Sequence, residues 1–184
     1  MGAPTIRPGA EGKAAGIRLF LVDVDGVLTD GGIVYDANGL ELKRFNVRDG
    51  HGFVMMRRAG IRAGIITGRT SAVTAIRAKE LGIDLVVQGA TDKAAALDRV
   101  LADTGIPPEA VSYVGDDIVD LPVFRRVGFT AAPADAEDCV LAAADFVSSR
   151  PGGHGAVREI IEFVLRATGS WDKVASRYLG PEAG

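Results

Sequence analysis

The sequence has little of what several classes of protein depend on. It contains a single cysteine, Cys139, so no intrachain disulfide can form, which is compatible with a reducing cytoplasm. Cys139 lies in an alanine-rich segment with no histidine nearby, and we expect it to be a small buried apolar residue. Basic residues form no block and the net charge is −3, so nucleic acid is not an expected partner. No apolar run approaches the roughly 18 residues that cross a bilayer, so no membrane partner is expected either.

The chain is long and apolar enough to form one domain with a sizeable core. It has 184 residues, of which 47% are apolar and 24% are charged. Residues 1–16 lack the apolar centre of a signal peptide, and we expect them to form a disordered tail. The domain is expected over residues 17–168 and a C-terminal tail over residues 169–184. We expect the protein to be cytoplasmic.

Apolar runs and amphipathic segments alternate along the chain. The predicted strands are Ile17–Val24, Ile61–Thr67, Leu85–Gln88, Val111–Val114, Gly128–Ala131 and Phe146–Ser148. Helices are predicted near Gly52–Ala59, Ser71–Leu81, Lys93–Asp103, Val119–Val127, Ala136–Ala143 and Ala156–Ala167. This alternation predicts an α/β fold, a Rossmann-like three-layer sandwich with a mostly parallel sheet. Sites in such sheets collect at the carboxyl ends of the strands.

One insert, residues 31–45, breaks the alternation. It carries the turn signal Asp-Ala-Asn-Gly at residues 36–39 between two strand-like runs, which predicts a β-hairpin. An isolated two-stranded hairpin is marginally stable in water, so its apolar residues need a surface to pack on. They have no obvious place on their own domain, and we expect that surface to belong to another subunit.

The first predicted strand ends in two carboxylates, Asp23 and Asp25. They are two residues apart, so both leave the strand on the same side if the extended geometry persists. Two carboxylates about 4 Å apart repel each other by roughly 4 kcal/mol at an effective dielectric constant near 20. A cation, a shared proton or solvent must offset this repulsion.

Other strands also end in polar residues. Thr67 ends the second strand, Lys93 begins the helix after the third, and Asp116 and Asp117 follow the fourth, with Asp120 three residues on. Oxygen ligands without histidine or cysteine favour Mg²⁺, which also binds substrate phosphate. A carboxylate can attack phosphorus to give an aspartyl-phosphate, while Thr67 and Lys93 hold the oxygens of the transferring phosphoryl group. This set predicts phosphoryl-transfer chemistry.

These motifs resemble a known superfamily. DVDGVLTDG, ITG at residues 66–68, Lys93 and GDDIVD match the four motifs of the haloacid dehalogenase superfamily in order. The longer segments DVDGVLTDGGIVYDANG, FNVRDGHG, TGRTS, GDDIVDLPV and GGHGAVRE are similar to the family of 3-deoxy-D-manno-octulosonate 8-phosphate phosphatases. That resemblance implies a Mg²⁺-dependent phosphatase that acts on a small sugar phosphate, through an aspartyl-phosphate, in lipopolysaccharide precursor synthesis.

The resemblance also implies residue roles. Asp23 is the expected nucleophile and Asp25 the general acid/base. The expected Mg²⁺ ligands are Asp23, the backbone carbonyl of Asp25, and Asp116, with Asp117 supporting them without binding the ion. The implied substrate contacts are Asp25, Asn46, Val47, Arg48, Asp49, Gly50, Val54, Arg69, Arg77 and Lys93. Arginine suits a sugar that carries a carboxylate, because a guanidinium matches a carboxylate with two parallel hydrogen bonds.

The intervals between the motifs are too short for the cap domain that closes many active sites in this superfamily. We therefore expect a capless fold whose site is covered by a neighbour in a homo-oligomer, which the resemblance implies to be a homotetramer. Two other functions remain open. One is hydrolysis of a nine-carbon ulosonic acid phosphate, and the other is a phospho-accepting receiver module without enzymatic activity.

Overall fold

A seven-stranded sheet forms the centre of the molecule, and helices cover both of its faces. The computed structural model describes residues 2–179. The strand order is β1-β9-β8-β7-β2-β5-β6, and every pair is parallel except β1 with β9. The predicted α/β sandwich is therefore confirmed. No helix in residues 2–179 is both long and apolar enough to cross a membrane.

The element bounds follow the alternation seen in the sequence. The strands of the main sheet are β1 Thr5–Ile6, β2 Leu19–Val22, β5 Arg62–Ile66, β6 Leu85–Val87, β7 Val111–Val114, β8 Phe129–Ala132 and β9 Phe146–Val147. The helices are α1 Ala10–Ala14, α2 Val47–Ala59, α3 Ala72–Leu81, α4 Lys93–Thr104, α5 Leu121–Phe124, α6 Asp138–Ala143, α7 Ala156–Ala167 and α8 Trp171–Leu179. Two short 3-10 helices span Pro108–Ala110 and Ile118–Asp120.

Strand β2 is buried on both faces and divides the core in two. Phe20 and Val22 pack into the cluster that includes α2 and α7, whereas Leu19 and Leu21 pack into the cluster that includes α4 and α5. This period of two explains the unbroken apolar run at residues 19–22, since a strand covered by helices on both sides has no polar face.

The register of the three central strands brings their carboxyl ends to one edge. Val22 of β2 pairs with Ile65 of β5 and with Val114 of β7. The residues that follow these strands therefore emerge side by side, and among them are Asp23, Thr67 and Asp116.

The predicted hairpin is present, with β3 Val34–Tyr35 antiparallel to β4 Glu41–Leu42. Its turn is stabilised by the Asp36 carboxylate, which accepts hydrogen bonds from the backbone N–H groups of Asn38 (2.9 Å) and Leu40 (2.8 Å). Gly39 has φ of 79°, a left-handed conformation that suits glycine.

Two expectations were wrong. The N-terminal segment is not a disordered tail, because Thr5 and Ile6 pair with β9 and the buried Ala10 and Ala14 of α1 pack on the domain. The prediction was wrong because it relied on the low hydrophobicity of this segment. Two buried alanines are enough to pack α1 against α7. Cys139 is exposed, because it lies on the outer side of α6, whose buried residue is Val140.

Three boundaries also differ from the prediction. Helix α2 begins at Val47, five residues before the predicted start, because the Asn46 side chain caps it there. The prediction placed the start too late because glycine disfavours helix and the first turns contain two glycines. In place of the predicted helix near Val119–Val127, two short helical pieces span Ile118–Asp120 and Leu121–Phe124. Within the expected C-terminal tail, Trp171–Leu179 form α8, which packs on α2 and α7. Residues 180–184 of that tail lie outside the described residues.

Candidate active site

Three carboxylates meet at the carboxyl ends of β2 and β7. Asp23, Asp116 and Asp120 each place one oxygen within 4.8 Å of the other two. Asp116 approaches the backbone of the turn after β2, where Gly26 has φ of 85° and a Cβ would overlap the Asp116 carboxylate. One oxygen of Asp116, Oδ1, is buried and has no hydrogen-bond partner among the described residues. An oxygen in that state is available to a cation.

Asp120 differs from the other two because all its bonding capacity is used inside the protein. Its Oδ1 accepts hydrogen bonds from Lys93 Nζ (2.5 Å) and the Tyr113 hydroxyl (2.7 Å), and its Oδ2 accepts from the backbone N–H groups of Asp116 (3.0 Å) and Asp117 (3.2 Å). We conclude that Asp120 fixes Lys93 and the loop that carries Asp116. Sequence reasoning noted this residue but gave it no role, although an acid three residues after Asp117 fits the capping box it forms.

Lys93 links the two parts of the cluster. Its ammonium group is buried and lies 2.5 Å from an oxygen of Asp23 and 2.5 Å from an oxygen of Asp120. Burial alone would lower the pKa of Lys93, but the carboxylates of Asp23 and Asp120 outweigh it and raise that pKa. The group is therefore a fixed positive charge beside Asp23.

The cluster holds more negative charge than Lys93 can balance. Burial, together with the charges of Asp23 and Asp120, raises the pKa of Asp116 to about 7. Burial also raises the pKa of Asp23, against the opposing effect of Lys93. A cation bound between Asp23 and Asp116 would remove this penalty, and the all-oxygen donor set suits Mg²⁺. The residues present therefore fit the predicted metal ion.

Asp25 is bound by the hairpin. Lys43, which directly follows β4, donates a hydrogen bond to Asp25 Oδ1, and the Lys43 side chain is only 2% exposed. Arg69 Nε lies 3.8 Å from the other oxygen, Asp25 Oδ2. Sequence reasoning missed Lys43; the signal available was its alternation with Glu41 in the second hairpin strand.

Glu41 connects the second hairpin strand, β4, to the loop that follows β5. Its Oε1 accepts a hydrogen bond from Arg69 Nη2 (3.0 Å), and its Oε2 accepts one from the Ser71 hydroxyl. Arg69 also donates to the Tyr35 hydroxyl at 3.2 Å. The predicted sugar-binding Arg69 is thus already engaged by a carboxylate of the hairpin, which sequence reasoning did not foresee.

Thr67 lies where the topology predicts. It is buried at the end of β5, its N–H donates to the Val87 carbonyl at 2.9 Å, and its carbonyl accepts from Ala90 N–H at 3.0 Å. Asp117 is exposed, and its carboxylate accepts from the backbone N–H of Ile118 at 2.6 Å, a bond within its own turn.

The remaining predicted substrate contacts form a separate group around the start of α2. Val47 and Arg48 are exposed, and Val54 is half-buried. Asn46 caps the helix by accepting from Arg48 N–H at 2.8 Å. Asp49 is buried and accepts from the backbone N–H of Arg158 at 2.7 Å, so it anchors the start of α7.

Arg77 belongs to this second group. Its guanidinium carbon lies 5.8 Å from the centre of the Phe45 ring, and Nη1 pairs with Glu80 at 3.2 Å. A Cβ on Gly50 would overlap the guanidinium, so the glycine provides the space that Arg77 occupies. The two histidines have other partners: His51 contacts Tyr178, and His154 contacts the Gly152 carbonyl.

Comparison with known proteins places this site in a family. A profile of haloacid dehalogenase-like hydrolases matches residues 65–160. The chain is 45% identical over 161 residues to the 3-deoxy-D-manno-octulosonate 8-phosphate phosphatase of Escherichia coli (strain K12). The aligned region covers 88% of this chain and 86% of the relative.

Solved structures of similar phosphatases have the same fold as this chain. The phosphatase of the same name from Yersinia pestis has a TM-score of 0.88 and 42% identity, covering 90% of this chain and 89% of that one. The Moraxella catarrhalis phosphatase, solved with magnesium, phosphate and KDO, has a TM-score of 0.89 and 40% identity, covering 92% and 97% of the two chains. The chain therefore belongs to the haloacid dehalogenase-like hydrolases and, within them, to the family of 3-deoxy-D-manno-octulosonate 8-phosphate phosphatases.

Proposed function

We propose that this protein is a Mg²⁺-dependent phosphatase that hydrolyses 3-deoxy-D-manno-octulosonate 8-phosphate, in the cytoplasm, during lipopolysaccharide precursor synthesis. The observation that carries the proposal is the pairing of Asp23 with the buried Lys93 beside the unpartnered Asp116 oxygen. The 45% identity to the Escherichia coli enzyme and the KDO bound in the Moraxella catarrhalis relative support this choice of substrate.

The metal ion would be held by the carboxylates of Asp23 and Asp116 and by the backbone carbonyl of Asp25. Bound there, Mg²⁺ supplies positive charge to the phosphoryl oxygens and to the acid cluster. Asp120 is not a ligand in this proposal, because each of its oxygens already accepts two hydrogen bonds from the protein.

Asp23 acts as the nucleophile. One of its carboxylate oxygens attacks phosphorus, the bond from phosphorus to the sugar oxygen breaks, and that oxygen takes a proton from Asp25. Asp25 then accepts a proton from the water that attacks the aspartyl-phosphate, which releases phosphate and regenerates both carboxyl groups. Lys93 and Thr67 hold the phosphoryl oxygens while charge develops on them.

The sugar is recognised away from the phosphate. Arg69 lies beside Asp25, whereas Arg48 lies at the start of α2 and Arg77 on α3. A guanidinium that binds the sugar carboxylate discriminates a ulosonate phosphate from a simple phosphate ester. The other contacts at residues 46–50 and Val54 would line the sugar, with Asp49 acting through the position of α7.

A homotetramer would complete the site. Five large hydrophobic residues of the hairpin are each more than half exposed: Ile33, Val34, Tyr35, Leu40 and Leu42. Exposed apolar side chains this close together favour burial against another copy of the chain. Because residues 2–179 form no cap domain, a neighbouring subunit would also be the wall that excludes water from the site.

The test is phosphate release from the eight-carbon substrate in the presence of Mg²⁺. We expect turnover by the wild type, loss of it with excess chelator, and its abolition in Asp23→Asn, with the exposed Asp103→Asn as a control of unchanged rate. Turnover by Asp23→Asn would contradict the covalent mechanism. Faster turnover of a nine-carbon ulosonate phosphate would reassign the substrate.

A further inference from the structure

The second hairpin strand has one polar side and one apolar side. Glu41 and Lys43 face the active site, where they bond to Arg69, Ser71 and Asp25. Leu40 and Leu42, which alternate with them, are 64% and 54% exposed. A strand period of two produces this division, so the hairpin can be an oligomer surface on one face and part of the active site on the other.

Two carboxylates balance the charge of Lys43. Its side chain is 2% exposed, and the two carboxylates that pair with it are those of Asp25 and Glu41, the latter 3.4 Å away. A buried ammonium group that loses such partners is strongly unfavourable, so the lysine and the carboxylates hold each other in place.

The contact leaves one oxygen of Asp25 free. Lys43 binds Oδ1, whereas Oδ2 lies 3.8 Å from Arg69 Nε, beyond hydrogen-bond distance, and has no hydrogen-bond donor among the described residues. A carboxyl group fixed through one oxygen can rotate little, so the free oxygen has a defined direction.

Glu41 makes the arrangement rigid. It receives hydrogen bonds from Ser71, which caps α3, and from Arg69, which follows β5. Ser71 is in turn held by its N–H, which donates to the Gln88 side chain at 2.7 Å. The second hairpin strand is therefore bonded both to the start of α3 and to the loop after β5.

We propose that Lys43 is a positioning residue for proton transfer, which holds Asp25 through Oδ1 so that Oδ2 is directed at the oxygen that leaves phosphorus. The inference rests on the acid/base role given to Asp25 in the proposed function. The proton moves from Asp25 Oδ2 to the sugar oxygen as the phosphorus–oxygen bond breaks and the bond from Asp23 to phosphorus forms. Lys43 donates no proton in this step and does not touch the substrate.

The test compares two esters that differ in how much they need a proton donor. The sugar alkoxide of 3-deoxy-D-manno-octulosonate 8-phosphate is a poor leaving group without a proton, whereas 4-nitrophenolate leaves readily without one. The quantity is kcat/KM, because it covers the steps up to departure of the leaving group and excludes breakdown of the aspartyl-phosphate.

For Lys43→Met we expect kcat/KM to fall about 100-fold on the sugar phosphate and less than about threefold on 4-nitrophenyl phosphate, in line with the usual contribution of general acid catalysis. Lys43→Arg, which retains the charge and a donor, should recover at least about tenfold of the loss on the sugar phosphate. The matched control is Arg44→Met, which removes the neighbouring cation, 74% exposed and paired with Asp30 instead. It should leave both values unchanged.

Equal losses on the two esters in Lys43→Met would overturn the proposal, because they would indicate a general disruption of the site. No loss on the sugar phosphate would overturn it as well. If the wild type does not hydrolyse this sugar phosphate, the proposed substrate is wrong, and the same comparison is made with a primary alkyl phosphate that the enzyme does hydrolyse. The two failures are thereby distinguished.

Discussion

The acid cluster predicts that the metal-free protein loses stability as the pH rises. The pKa of Asp116 is raised from 3.8 to about 7 in the folded chain, first by burial and then by the charges of Asp23 and Asp120. Between these values the folded state binds a proton that the unfolded state has released. Stability therefore falls through this window, and the contribution is fully present only below the unfolded pKa.

The magnitude follows from the shift. About three pKa units correspond to at most about 4 kcal/mol, and solvent screening of a partly exposed carboxylate reduces this to about 2 kcal/mol. Asp116→Asn replaces the carboxylate with a neutral side chain of the same shape. In chelator, we expect the variant to match the wild type at about pH 3, below the unfolded pKa, and to exceed its free energy of unfolding by about 2 kcal/mol at about pH 8.

The assay is guanidinium unfolding of both proteins at one protein concentration, with the exposed Asp103→Asn as the control. Adding Mg²⁺ at about pH 8 should restore the wild type, by about 2.7 kcal/mol at a hundredfold excess over Kd, and affect Asp116→Asn far less. A stability difference between wild type and Asp116→Asn that is the same at both pH values would refute the reasoning. It would mean that the Asp116 charge is not what the folded state disfavours.

Three further changes test other parts of the molecule. Asp120→Asn should lower the free energy of unfolding by about 3 kcal/mol in the same assay, because the amide can accept from only one of the two pairs of buried donors, and a loss below about 0.5 kcal/mol would contradict this. The double variant Leu40→Ser/Leu42→Ser should yield smaller species by light scattering, whereas a wild type that is monomeric at micromolar concentration would argue against the tetramer. Arg69→Ala should reduce kcat/KM more for the ulosonate phosphate than for an aryl phosphate; equal losses would assign Arg69 to the phosphate or to the hairpin.

The central fold was predictable because its signals are local. The apolar run at residues 19–22 indicated a strand covered on both faces, and the alternation of strands with helices indicated parallel crossovers. From the parallel sheet alone it follows that Asp23, Thr67 and Asp116 emerge at one edge. The N-terminal strand and helix could not be predicted in this way, since they depend on an edge of the sheet that the local sequence does not reveal.

Parts of the site could not be predicted because they depend on tertiary contacts. Asp49 looks like a surface acid in the sequence, and only the approach of α7 shows that it binds the N–H of Arg158. Lys43 looks like one of several exposed cations, and only the fold of the hairpin over Asp25 buries it. In both cases the sequence shows which charge the side chain carries. It does not show the partner, because the partner lies in an element far away in the chain.

The two carboxylates after β2 raised the question of what offsets their repulsion, and the structure answers it separately for each. Asp23 is paired with Lys93 from the start of α4, and Asp25 is paired with Lys43 from the hairpin. Each acid therefore has its own cation, and the two cations lie in different elements. Asp116 has no such partner within residues 2–179, and burial, together with the charges of Asp23 and Asp120, raises its pKa to about 7. A divalent cation at Asp23 and Asp116 would complete the balance without disturbing Asp25, which leaves the proposed nucleophile and the proposed acid/base under independent control although they are two residues apart.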